Sequence, residues 1–131
     1  PFVAACDDMP ILKFQDLVCW QRANELKLAV YRLLDHTRAK RDFSFCHQLK
    51  ESAASAPSNL AEGFGIYVHG DSARYARIAK ASLMETQNRL RDGVDRGHWT
   101  EEDIAPILSI SRSAVGATVG WITYLQKSKA P

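Results

Sequence analysis

Ser55-Ala-Pro-Ser-Asn-Leu-Ala-Glu-Gly-Phe-Gly65 is the stretch whose reading settles the architecture. Upstream and through it, Phe45, Leu49, Ala53, Ala56 and Leu60 recur at three- or four-residue steps, which keeps one helix face apolar from about Ser44 to Gly63. That phase runs straight through Pro57, so the pattern predicts one proline-kinked helix rather than two. Pro57 has no N–H and its ring crowds the preceding turn, so the carbonyl of Ala53 loses its helical donor. Ser52, Ser55, Asn59 and Glu62 form a second, polar stripe at the same spacing. Glu62 falls at the negative end of the helix dipole, where a carboxylate needs compensation. The expected compensation is a bond from an arginine or a backbone donor of a neighbouring helix, with Asn59 serving the carbonyl freed at the kink. Gly63 and Gly65 are expected helix stops.

Working outward, three more helices appear. Asp16 opens one that reaches about His36, with Cys19, Ala23, Leu26, Val30 and Leu33 as its apolar stripe. Thr37 to Asp42 is a polar connection. After a short linker, Asp71 or Ser72 is the expected N-cap of a helix to about Arg96, and Gly97 ends it. Thr100-Glu-Glu-Asp103 has the form of a capping box and starts a helix to about Lys127. No period-two pattern persists anywhere. The fold expected is all-α, an antiparallel up-down-up-down four-helix bundle over residues 15–128 behind an irregular arm, residues 1–14.

The last helix has more apolar surface than one arc of a bundle uses. Ile104, Leu108, Ser111, Val115, Thr118, Ile122 and Leu125 make one stripe. Ile107, Ile110, Ala114, Ala117, Trp121 and Tyr124 make another about 100° away, and Arg112 is the one charge between Ile104 and Gln126. The second stripe is therefore expected at a boundary between subunits of a closed homo-oligomer. A fourth helix sunk deep in a lone core is the alternative. A membrane span fits poorly, because Pro106, Arg112 and several hydroxyl residues interrupt the run.

The 131 residues suit one domain with a real core, and a net charge of +2 implies no polyanion partner by itself. Cys6, Cys19 and Cys46 make an odd, scattered set that fits free thiols in a reducing cytoplasm. Phe2-Val-Ala-Ala-Cys6 is too short an apolar run for a signal peptide, and Met9 is a candidate start that would leave residues 1–8 as an upstream arm. His36, His47, His69 and His98 form no ligand spacing with the cysteines, so no metal is expected. No nucleophile motif and no Gly-rich phosphate loop is present. The expectation is a non-enzyme with no cofactor and no small-molecule substrate. Trp20, Trp99 and Trp121 lie on separate elements, as anchors of a core or interface do. The remaining functional lead is the basic residues Arg38, Lys40 and Arg41 in the first connection and Arg74, Arg77 and Lys80 on the third helix. A ring repeats each such group around its axis, so a modest patch becomes a band able to meet phosphates of RNA or DNA. An adaptor for a partner protein, without nucleic-acid contact, is the alternative.

Phe14-Gln-Asp-Leu-Val-Cys-Trp20-Gln, the run Pro57-Ser-Asn-Leu-Ala-Glu-Gly-Phe-Gly65, and Ala79-Lys-Ala-Ser-Leu83 followed by Glu85-Thr86 resemble the four-helix-bundle proteins of the 23S ribosomal RNA intervening-sequence type. The resemblance spans about residues 14–126 and marks Trp20, Pro57, Asn59, Glu62 and Gly63 as a structural motif. It implies small cytosolic bundles that assemble as pentamers, distantly related to a pentameric retroelement accessory protein that binds nucleic acid. Members often carry basic residues just after the Glu-Gly-aromatic-Gly run. Ile66-Tyr67-Val68-His69 stands there instead, which weakens a basic surface at that corner.

Overall fold

Four helices, α1 (Val18–Asp35), α2 (Phe43–Phe64), α3 (His69–Asp95) and α4 (Glu101–Lys127), carry the fold of the computed structural model, which describes residues 2–3, 10–66 and 68–128. Single 3-10 turns at Phe14–Asp16 and Arg38–Arg41 lead into α1 and α2. The arm holds a two-residue antiparallel ladder, β1 (Phe2–Val3) against β2 (Pro10–Ile11). The bundle closes because α1 packs on α2, α2 on α3, α3 on α4, and α4 back on α1.

The apolar stripes explain this packing. Cys19, Ala23, Leu26 and Val30 of α1, Phe45, Leu49, Ala53, Ala56 and Leu60 of α2, Ala79, Leu83 and Leu90 of α3, and Ile104 and Leu125 of α4 are all buried in one core. Ala39 plugs the end of that core from the first connection, and the thiol of Cys46 donates to its carbonyl at 3.0 Å. Small residues let α2 and α3 approach closely. A Cβ on Gly63 would fall 2.8 Å from Cβ of Tyr75, which is a backbone-to-helix contact that only glycine permits. Gly63 thus lies inside α2 as a packing residue, and the helix runs on one residue before Gly65 closes it.

Hydroxyls satisfy one another in the same seam. Ser55 Oγ meets Ser82 Oγ at 2.8 Å, and Thr86 Oγ1 lies 2.8 Å from the Ser82 carbonyl and 3.1 Å from Ser52 Oγ. The polar stripe read on α2 is therefore an inward one at Ser52 and Ser55. Ser72 is not the N-cap of α3. The helix begins three residues earlier at His69, and the buried Ser72 hydroxyl instead reaches the carbonyls of Gly63 at 2.7 Å and Ile66 at 3.1 Å. Thr100 does cap α4, with Asp103 N–H donating to its hydroxyl and Thr100 N–H donating to the Asp103 carboxylate.

The second stripe of α4 splits in two. Ile107, Ala114 and Trp121 are buried within a single protomer, so the expectation that the whole stripe lacks a home inside one chain is corrected. Ile110, Ala117 and Tyr124 remain partly exposed, with the Tyr124 ring stacked on Trp121 at 5.4 Å. The reason is geometric. One hundred degrees of helix fits within the arc that two flanking helices cover together, α1 on one side and α3 on the other. Beyond that edge, Ser113, Gly116 and Gly120 are exposed and uncharged, with exposed Arg112 next around the helix.

Candidate nucleic-acid interface

Two groups of cations reach solvent, and the fold keeps them apart. Arg38, Lys40 and Arg41 stand on the 3-10 turn that precedes α2, all exposed around the buried Ala39. Arg74, Arg77 and Lys80 line the outer side of α3 near its start, also exposed, with the Arg74 guanidinium over the Tyr75 ring at 5.1 Å. The Ser72–Gly63 bond places the start of α3 beside the end of α2, the opposite end from Phe43. At 1.5 Å of rise per residue, and with Ser82 facing Ser55, the second group lies about 20–30 Å along α2 from the first. None of the six has a carboxylate partner among the described residues, whereas Arg22, Arg89 and Arg96 are each ion-paired.

The first group borders two surface clefts that share Lys40. One, of about 540 Å³, is lined by Thr37, Arg38, Lys40 and Arg41, and the other, of about 400 Å³, by Leu34, Asp35, Lys40, Phe43, Cys46, His47 and Lys50. The hydroxyl of Thr37 is shielded from solvent with no hydrogen-bond partner among the described residues. The turn is held by its neighbours. Asp42 accepts from Arg96 and meets His98 Nε2, both at 2.9 Å, and these bonds pull its carboxyl below the ordinary carboxylate value, His98 contributing most. A third cleft, between α2 and α3, contains Glu51 and Glu85, and Arg89 there is already bonded to Glu85 at 2.8 Å, so it offers phosphates little.

The motif residues are structural in different ways. Trp20 packs edge-on against Phe14 at 5.2 Å, Pro57 is buried in a helix that continues through it, and Gly63 lets α3 close in. Asn59 donates to the carbonyl and hydroxyl of Ser55, at 2.8 and 3.0 Å, and not to Ala53. Glu62 is exposed and makes no ion pair among the described residues. Its expected bond to a neighbouring helix is corrected: a carboxylate at the negative helix end stays in water, where the dipole is screened. Sequence reading missed Phe43, whose ring is exposed at the start of α2. Its offset of two residues from Phe45 was the available signal, since that turns it about 200° from the core stripe.

The sequence model for the 23S rRNA-intervening sequence protein matches residues 15–119. The chain belongs to that family. The match covers α1, α2, α3 and most of α4, so it embraces both cation groups and the whole Pro57–Gly65 run. Comparison with curated proteins finds no match. Among the described residues, no helix is long and apolar enough to cross a membrane, and no three His, Cys, Asp or Glu side chains could hold a metal ion together.

Proposed function

We propose that this member of the family is a non-enzymatic, homo-oligomeric scaffold, pentameric, that contacts RNA or DNA through its basic rims. The observation that carries the nucleic-acid reading is the concentration of Arg38, Lys40 and Arg41, all exposed and without an ion pair among the described residues, on one 3-10 turn of 4 residues. Repeated around a closed ring, three such cations per copy become a continuous band for phosphates. The oligomer reading draws on the family and on α4, whose uncharged edge runs from Ile110, Ala117 and Tyr124 to Ser113, Gly116 and Gly120. Cys19 and Cys46, both free thiols, favour the cytoplasm.

The scaffold reading includes an antiparallel up-down-up-down arrangement bent at Pro57. Its support lies in cross-bonds that run in opposite senses along two helices: Ser72 to Gly63, Ser82 to Ser55, Thr86 to Ser52 and Arg89 to Gln48. The bend follows from the missing donor at Pro57.

A gel shift with generic RNA and DNA tests the contact. Retardation at low salt that disappears near about 0.3 M is the expected result, because released counterions make phosphate binding steeply salt-dependent. No retardation at any salt would favour a protein-interaction adaptor. Native mass spectrometry reads the subunit number.

A further inference from the structure

The two cation groups differ in chemistry, and only the one at the α1–α2 connection surrounds an exposed aromatic ring. Phe43, the first residue of α2, is 81% exposed, the highest value among the exposed large apolar side chains of the described residues. A single exposed apolar side chain is ordinary on a protein surface, so this ring draws its meaning from what surrounds it. Lys40, His47 and Lys50 share its cleft, and Lys40 joins that cleft to the one lined by Arg38 and Arg41. Four cations therefore face one carboxylate, Asp35. Of the other nearby acids, Asp42 is bonded to Arg96 and His98, and Glu51 meets the His47 ring, an ion pair only when that ring is protonated.

We propose that this corner binds single-stranded nucleic acid, one unpaired base stacking on Phe43 while neighbouring phosphates lie against Arg38, Lys40, Arg41 and Lys50. The inference rests on the nucleic-acid reading above and narrows it to one of the two cation groups and to one strand state. Charge complementarity selects this occupant, since phosphates answer the surplus of cations and a base face answers the ring. A duplex covers its base faces by stacking, so a lone exposed ring engages only bases that are already splayed out. The Arg74, Arg77 and Lys80 group offers cations, but its aromatic neighbour Tyr75 is only partly exposed and lies under Arg74.

The test is fluorescence anisotropy on the full chain at low salt, with labelled single-stranded and duplex oligonucleotides of one length, as RNA and as DNA. Phe43→Ala should weaken single-strand binding roughly tenfold and leave duplex binding unchanged, as loss of one stacked base predicts. Phe43→Trp should retain the single-strand affinity. Circular dichroism melts check that both variants fold. Unchanged single-strand binding by Phe43→Ala overturns this inference, and loss of that binding when Arg74, Arg77 and Lys80 are reversed to Glu leaves the general reading standing. No binding by the unaltered chain overturns both. A changed subunit number for Phe43→Ala in native mass spectrometry makes the ring a contact between copies and also overturns it. The RNA and DNA arms tell which strand chemistry the site prefers.

Discussion

A methyl group on Gly93 would sit 2.2 Å from Cζ2 of Trp99 and 2.6 Å from its Nε1. The indole has little freedom to retreat, because Nε1–H donates to the Leu90 carbonyl at 2.8 Å and the ring packs near Phe45 at 5.7 Å. Gly93→Ala is therefore an overpacking substitution even though alanine favours helix. It should cost about 1–3 kcal/mol or more, read as a lower urea midpoint at unchanged slope. The thiols separate by the same logic of burial. Burial pushes the Cys19 thiol up to about 12, and it raises Cys46 as well, which remains partly exposed. Since the thiolate is the reactive form, iodoacetamide at neutral pH should label Cys46 well before Cys19 in the native chain, with peptide mass spectrometry reading the order. Equal labelling would mean that α1 opens locally on the labelling timescale.

At the scale of elements, Asp42 ties the start of α2 to the connection between α3 and α4. Its carboxylate accepts from Arg96 and meets His98, while Arg96 also reaches Asp92 at 2.9 Å and lies over the Phe45 ring at 5.0 Å. The folded carboxyl titrates below its ordinary value of 3.8, so the ionised form contributes stability above that value and loses it as pH falls through the folded pKa. The stability gap between the native chain and Asp42→Asn should shrink as pH drops from about 5 to about 2, followed by denaturant midpoints across that range. A gap independent of pH would show that the carboxylate acts by shape alone. The helices themselves were legible from sequence because the apolar period persists in each of them, and in α4 the capping chemistry agrees with it. The Thr100–Asp103 box of α4 and the Phe45-to-Leu60 stripe of α2 are the clearest instances of the two signals. Ser72 misled, since a serine near a helix start reads as a cap, and its buried reach to Gly63 depends on how closely α3 approaches. Glu62 misled for the converse reason, a conspicuous motif position that faces water. Phe43 was hidden because the apolar stripe begins at Phe45, which left Phe43 just outside the helix read from about Ser44.

For the whole molecule, the proposed oligomer turns on which face of α4 another copy would cover. Ile107, Ala114 and Trp121 are occupied by the protomer's own core, so a subunit boundary has to use the edge beyond them. There Ser113, Gly116 and Gly120 present an exposed uncharged strip, bordered on its far side by Arg112, and a side chain built on Gly116 or Gly120 would meet nothing within 4 Å of its Cβ. That openness separates folding from assembly. Gly120→Glu adds a carboxylate where the protomer has room, and replacing glycine in a helix interior removes a cost of about 0.5–1 kcal/mol. The thermal midpoint of the isolated fold should therefore hold or rise. If copies meet on this edge, the same carboxylate is buried without a partner in every interface of the ring, and a buried unpaired charge is among the most costly defects an interface can carry. Native mass spectrometry should then show smaller assemblies for Gly120→Glu than for the unaltered chain, with helical content by circular dichroism unchanged. A full-sized assembly from the Gly120→Glu chain would move the boundary off α4, and the cation band would then have to be rebuilt around a different axis.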